Sequence, residues 1–404
     1  MSGRVDQAEM RRANMSLMLR SLRSGDPRSR ARLATETGLS KGTTSTLIAD
    51  LVGLGLVRED ERERTGAVGR PGTAIAIDGG RVFGVGMEIN VDYLALTVVD
   101  LRGRTVHSAV AALDIASTPV SEVLDQLARL IEDAIRLARA RGGQIVGIGI
   151  GAPGIVDLDS GSVRFAPNLG WHGVAVAREL AARLGPAAPP IRLENDSKLG
   201  AVAEFSVREN QEIEDLLYLS ADVGVGAGIV AGGRLMRGWS GFSGEVGHLP
   251  IGPQGVACPC GRTGCWELNV GLNAFLALAA EPGDVVHDRS VPLEERLRIL
   301  RGRADSGDGR VLAALSAIAT NLSIGLSVLV DVLNPRMIVL GGYFPSFSDF
   351  LIAPITAALE ARRMDLGSSA ILVGSKLGLT SAARGGAQLV LEDVFDDPTL
   401  ASAV

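Results

Sequence analysis

Gly224-Val-Gly226-Ala-Gly228-Ile-Val, then Gly238-Trp-Ser-Gly241-Phe-Ser-Gly244-Glu-Val-Gly-His248, then Cys258-Pro-Cys260-Gly-Arg-Thr-Gly-Cys265-Trp-Glu267 punctuate residues 224–267 with glycine, thiol and polar side chains. All 3 cysteines of the chain fall here. Thiols this crowded make no useful disulfide framework, and metal binding is the better reading. Gly261 and Gly264 let the loop fold back, so that Cys258, Cys260 and Cys265 can meet on one tetrahedral ion. His248, just upstream in a glycine-rich stretch, is the natural fourth ligand. Three thiolates and one imidazole make a closed, structural Zn2+ site with no open position for water. Three buried free thiols are the other reading.

Around this stretch the polar residues Glu194-Asn195-Asp196, Glu245, His248 and Glu267 recur between glycines. Paired donors and acceptors of this kind suit sugar hydroxyls, or simply a solvated surface. Gly149-Ile-Gly151-Ala-Pro-Gly154 formally fits GxGxxG, but Pro153 stands where a dinucleotide-binding helix would begin. Asp222-Val-Gly224-Val-Gly226-Ala-Gly228 reads as a phosphate cradle or as a tight hairpin.

The 404 residues suggest two to three domains at roughly 150 residues each. Hydrophobic residues at 46% and charged residues at 21% exclude wholesale disorder. Aromatics are only 4%, so the core rests on Val, Leu, Ile and Ala. No apolar run is expected to span a bilayer: Leu322–Val330 stops at Asp331 and then at Asn334-Pro335. Nothing after Met1-Ser2-Gly3-Arg4 resembles a secretory signal, and the expectation is a cytoplasmic protein without membrane association. Net charge is −6, unevenly spread: residues 1–80 hold 13 Lys+Arg against 10 Asp+Glu. A small basic piece on an acidic body fits an attached nucleic-acid module.

Residues 9–23 carry Met10, Ala13, Leu17, Leu19 and Leu22 at near-helical spacing, ending at Gly25-Asp26-Pro27. A short helix follows over Ser29–Thr37, then Gly38-Leu39-Ser40 with Ser40 as N-cap, then a helix from Lys41 to about Gly53. This is a helix-turn-helix pattern, and Ser40, Lys41, Gly42, Thr43, Thr44, Ser45 and Thr46 are the candidate DNA contacts. Two strands, Leu56–Arg58 and Thr73–Ile77, form a wing, whose Arg70 in Gly69-Arg70-Pro71 could enter a minor groove or merely mark a linker turn. From Val82 on, strand pairs alternate with helices in two rounds, which indicates an α/β domain of two lobes.

The run from Gly224 to Glu267 resembles the signature of the ROK family of repressors and sugar kinases, and the similarity extends over about residues 82–395. A winged helix-turn-helix in front is the arrangement of the family's repressor branch. The resemblance implies a winged helix-turn-helix over 1–80 and an actin-like, two-lobed sugar-kinase fold. Its lobes would span 81–196 and 197–395. The tail 396–404 reads as poorly ordered and without a role. It assigns zinc to His248, Cys258, Cys260 and Cys265, and sugar contacts to Asn168, Asn195, Asp196, Glu245, His248 and Glu267. In the kinase branch the position of Asp196 is the general base.

Where family kinases carry the phosphate loop Asp-x-Gly-Gly-Thr, this chain has Glu88-Ile89-Asn90-Val91-Asp92. Both glycines and the threonine are gone, and Asp92 would repel phosphates. Asp222-Val223 likewise replaces Gly-Thr in the second phosphate loop. The expectation is therefore a non-enzyme with no catalytic residue: a sugar-responsive repressor of carbohydrate-utilisation genes, binding palindromic operator DNA as a homodimer or homotetramer. The stretch 88–93 resembles xylose-type repressors, so xylose leads as effector, followed by glucose and N-acetylglucosamine. The alternatives are an ATP-dependent sugar kinase with a fused DNA-binding module, and a regulator answering to a protein partner.

Overall fold

The computed structural model describes residues 7–23, 26–60, 73–208, 213–362 and 370–401. The N-terminal module holds α1 (Gln7–Ser21), β1 (Arg28–Ser29), α2 (Arg30–Thr37), α3 (Lys41–Gly53), β2 (Val57–Asp60) and β3 (Ala74–Ile77). Ser29 and Ser40 cap α2 and α3, accepting from the amides of Arg32 and Thr43. Strands pair in the order β1-β3-β2, making a helix-turn-helix followed by a hairpin. Residues 61–72, and with them Arg70, lie outside the described residues. In α1 the buried side chains are Met15, Met18 and Leu19, with Leu22 just beyond, whereas Met10 and Leu17 are exposed. Methionine and leucine occur all round this helix, so spacing alone did not select the packed stripe.

The remaining chain repeats one wiring twice. β4 (Val82–Ile89), β5 (Tyr93–Asp100), β6 (Thr105–Ala112), α4 (Val120–Ala140), β7 (Gln144–Ala152) and β11 (Ile191–Asn195) build the first sheet, ordered β6-β5-β4-β7-β11. Between β7 and β11 lie a small sheet, β8 (Ile155–Asp157), β9 (Ser162–Ala166) and β10 (Trp171–Val174), and the helix α5 (Val176–Leu184). After α6 (Asp196–Ser206) come β12 (Leu216–Ala221), β13 (Val225–Ala231) and β14 (Arg234–Leu235). Then follow α7 (Glu267–Val270), α8 (Leu272–Ala279), α9 (Leu293–Asp305), α10 (Gly309–Leu333), β15 (Met337–Gly342), α11 (Ser348–Ala361), β16 (Ile371–Gly374) and α12 (Ser381–Asp396). The second sheet runs β14-β13-β12-β15-β16. In each sheet the first strand has two antiparallel steps on one side and two parallel steps on the other. Two lobes of identical topology result, as the two rounds of strands and helices predict.

Each half ends in a helix that crosses to the other. α6 packs on β12 and β13, α12 packs on β4, β5 and β7, and the two helices pack together. The expected second lobe, 197–395, thus loses its last helix to the first sheet. Glycine permits that docking: a Cβ at Gly149 would strike the carbonyl of Gly386, and one at Gly86 that of Ala383. The first two glycines of the GxGxxG match, Gly149 and Gly151, therefore lie in strand β7 and face helices rather than a dinucleotide, while Gly154, just beyond the strand, packs on the backbone of Phe165 and Ala166. Asp222–Gly228 is the hairpin of the two readings, joining β12 to β13.

Two expectations are corrected. The segment 396–401 is built into the fold: Asp397 caps a short turn over Pro398–Leu400, and Ala401 is buried. α10, at 25 residues, is long and apolar enough to cross a membrane by length and composition. Thr320 and Ser323 hide their hydroxyls on the carbonyls of Ser316 and Ala319, so polar residues did not interrupt it. Its buried side chains Leu315, Ile318, Leu322 and Leu326 join the core of the second lobe.

Candidate functional site

The metal-ligand candidates converge. His248 ends a 3-10 turn over Val246–His248, and the loop between β14 and α7 brings it to the cysteines. One ligand atom from each of His248, Cys258, Cys260 and Cys265 lies within 4.8 Å of the others. Cys260 Sγ is 3.7 Å from Cys265 Sγ, and Cys258 Sγ is 3.9 Å from His248 Nδ1. Ligands at about 2.0–2.3 Å on a tetrahedral ion are spaced about that far apart. The group could hold a metal ion, and its donor set fits zinc. Nδ1 faces the thiols, and Nε2 lies 3.9 Å from Glu245 Oε2, which leaves that nitrogen toward the cleft.

Asn168, Asn195, Asp196, Glu245, His248 and Glu267 all line one cleft between the lobes. Their supports differ. Asn195 caps α6 through its Oδ1, which accepts from the Lys198 amide at 3.1 Å, and its Nδ2 donates to the carbonyl of Gly154 at 3.2 Å. Asp196 begins α6 and accepts from the Ser197 amide at 2.7 Å. Burial raises its carboxyl above the ordinary range against those bonds. Burial and the nearby Asp196 push Glu245 up to about 7. Glu267 Oε1 accepts from Cys258 Sγ at 2.8 Å and lies 3.5 Å from His248 Nδ1, so the thiol loop and this carboxylate share one scaffold.

Sequence reasoning treated 88–92 as a lost phosphate loop and missed that Asn90 and Val91 line the same cleft, with Asp222 and Val223 opposite. The matched wiring is the signal: residues 90–92 join β4 to β5 as residues 222–224 join β12 to β13. Asn90 Oδ1 accepts from the amides of Val91 at 2.7 Å and Asp92 at 3.3 Å, while its Nδ2 donates to Glu88 and to Asp222. Two amides that a phosphate loop would present are thus turned inward. Asp92 reaches the second lobe, where Arg296 Nη2 meets its Oδ2 at 2.7 Å.

In the N-terminal module Ser40, Lys41, Gly42, Thr43, Ser45 and Thr46 are exposed at the start of α3. Thr44 is not: its side chain is fully buried beside Leu47, Ile48 and Leu51, which removes it from the DNA-contact set. One turn of helix separates the outward positions, and Thr44 falls on the inward face. The module's core is shared with the last helix, through Leu391, Val394 and Phe395. Ser16 Oγ donates to the carbonyl of Phe395 at 2.6 Å, Arg20 Nη2 meets Asp396 Oδ1 at 2.6 Å, and Arg23 lies over the Phe395 ring at 5.0 Å. The other end of α12 lies beside the cleft, where Ser381 and Ala382 share a cavity with Asp196 and Asp222.

Residues 84–393 match the ROK family, and residues 17–61 match the IclR helix-turn-helix domain. The chain is 28% identical over 399 residues to the xylose repressor of Caldicellulosiruptor bescii, covering 97% of this chain and 98% of that protein. The crystal structure of a ROK family transcriptional regulator, a homologue of the E. coli MLC protein, is similar with a TM-score of 0.75 at 23% identity, over 96% of this chain and 97% of that one. A ROK family glucokinase from Streptomyces griseus, solved with glucose and AMPPNP, has a TM-score of 0.64 at 25% identity, over 76% of this chain and 98% of that one. With its family match spanning both lobes, the chain belongs to the ROK family.

Proposed function

We propose that this protein is a sugar-responsive, DNA-binding transcriptional repressor of carbohydrate-utilisation genes, working in the cytoplasm. The observation that carries the reading is α12, a helix of about 24 Å that begins beside the cleft and ends inside the core of the DNA-binding module. A sugar that changes the angle between the lobes acts on a helix to which the module is bound by core packing. The change can be no larger than the sugar's differential affinity for the two arrangements. Asn168, Asn195, Asp196, Glu245, His248 and Glu267 would hold the sugar hydroxyls. A structural Zn2+ on His248, Cys258, Cys260 and Cys265 would hold His248 and Glu267 in place and supply no chemistry of its own.

The protein is not an enzyme in this reading. Asn90 occupies the amides of the turn where family kinases receive phosphates, and the carboxylates of Glu88 and Asp222 flank it. Asp196 binds a hydroxyl and takes no proton from it. Xylose is the leading effector, supported by the full-length similarity to a xylose repressor. Operator DNA is bound by the exposed start of α3 in a homodimer or homotetramer, since two-fold operators mirror two-fold proteins.

The test is release of the protein from its own upstream DNA in a gel shift, with sugars added singly and without ATP. Release by xylose or another single sugar supports the reading and identifies the effector. Retention with every sugar, alongside sugar-dependent ATP consumption, overturns it in favour of a kinase.

A further inference from the structure

Trp171 and Trp266 are buried, whereas Trp239 is 102% exposed. An indole left wholly in water forgoes the largest apolar burial any side chain offers, and Met236 and Phe242 beside it are exposed too. This segment is tied to residues that flank the cleft-lining Asn195 and Asp196. Arg237 Nε donates to Glu194 Oε2 at 2.7 Å, and Lys198 Nζ donates to the carbonyl of Gly241. Glu194 and Lys198 bracket Asn195 and Asp196, so both ends of Arg237–Gly241 are pinned at the junction that supplies two cleft residues. The chain then runs directly into Glu245 and His248. Gly238 and Gly241 hold φ at 72° and 83°, positions that favour glycine, and Trp239-Ser240 projects between them.

The cleft lacks what Trp239 offers. Its lining is rich in carboxylates and amides, and among the described residues no Trp, Tyr or Phe lines it. A pyranose has a polar edge of hydroxyls and an apolar face of C–H bonds, and small-molecule sites pair a few polar groups with apolar or aromatic walls. We infer that Trp239 is a further sugar-contacting residue, its indole packing on the C–H face of a monosaccharide whose hydroxyls the cleft holds. This rests on the sugar-binding reading above.

The test uses the full chain with xylose and glucose, reading tryptophan emission, acrylamide quenching and titration heat together. Sugar should shift the emission to the blue and shield the quenchable component, which belongs to Trp239 because the other two indoles are buried. Trp239→Ala should abolish both signals and weaken sugar binding about tenfold, with Trp239→Phe intermediate. Binding heat with unchanged emission and quenching, and the same affinity in Trp239→Ala, overturns the assignment while sugar binding stands. A sugar-induced shift that persists in Trp239→Ala overturns it as well. No heat with either sugar, or with any in a wider panel, overturns the sugar-binding reading and this inference together.

Discussion

Asn90 and Asp222 open equivalent turns in the two copies of one sheet topology, and their side chains meet across the cleft with Nδ2 3.1 Å from Oδ2. The duplication points the first hairpin of each lobe at its counterpart. A neutral amide on one side and a carboxylate on the other make that meeting favourable where two carboxylates would repel. Asp222 still lies uneasily: among the described residues its buried Oδ1 has no hydrogen-bond partner, and burial with the nearby Asp196 pushes its carboxyl up to about 7.

The folded protein therefore holds a proton on Asp222 through a range where the unfolded chain, titrating near 3.9, has lost it. Its contribution is fully present below about pH 4 and is lost as pH rises to about 7. Asp222→Asn keeps an acceptor for Asn90 and removes the charge. Urea unfolding should find this variant more stable than the parent at pH 8 by up to about 4 kcal/mol, with the gap closing toward pH 4. A variant weaker at pH 8 would mean that the ionised carboxylate is stabilising.

Asp92 and Arg296 form a second crossing between the lobes, with side chains 3% and 2% exposed. Arg289 Nε stands 3.5 Å from the other carboxylate oxygen and is too far to replace the lost partner fully. Arg296→Met should cost about 3 kcal/mol, because it strands a buried carboxylate. Combining it with Asp92→Asn should recover much of that loss, and a double-mutant cycle in urea reads the difference. Additive losses would mean that the pair carries no coupling.

Much of this was legible in the residues. The Ser40 cap and glycine punctuation marked α3 at Lys41–Gly53, because local chemistry decides those ends. The thiol loop and the six cleft residues were readable from spacing and from the family signature, and they do meet. What escaped depends on partners distant in sequence. The packed face of α1 is chosen by Phe395 and Leu391, the docking of α12 by glycines on β4 and β7, and the role of Asn90 by a turn 132 residues away. No local period encodes such pairings.

Thr44 and Lys41 separate fold from recognition in α3. Lys41 is exposed at the helix start, while the buried Thr44 hydroxyl has no partner among the described residues. Lys41→Ala should weaken operator binding and reduce its salt slope by about 1, as loss of one phosphate contact does. Thr44→Val removes an unsatisfied hydroxyl at nearly constant volume, so operator affinity should hold and stability should not fall. Titration across a salt series with both variants checks the contrast. A Thr44→Val protein that folds but loses operator would place that residue on the DNA after all.

The metal loop should matter to the sugar and not to the DNA. His248 and Glu267 stand at either end of the segment that the four ligands tie together, and Glu267 begins α7 just after Cys265. Stripping the ion frees the loop, so both cleft residues lose their fixed positions, an effect typically of 10–100-fold on the function so supported. Among the described residues, the core of the DNA-binding module contains none from 248–267. Chelation, or Cys260→Ser, should therefore release about one zinc per chain and weaken sugar binding by that factor, while operator affinity without sugar stays within twofold. Sugar affinity that survives complete removal of the metal would reduce the loop to a surface clip. Loss of operator binding along with it would mean that the two lobes and the module unfold as one unit.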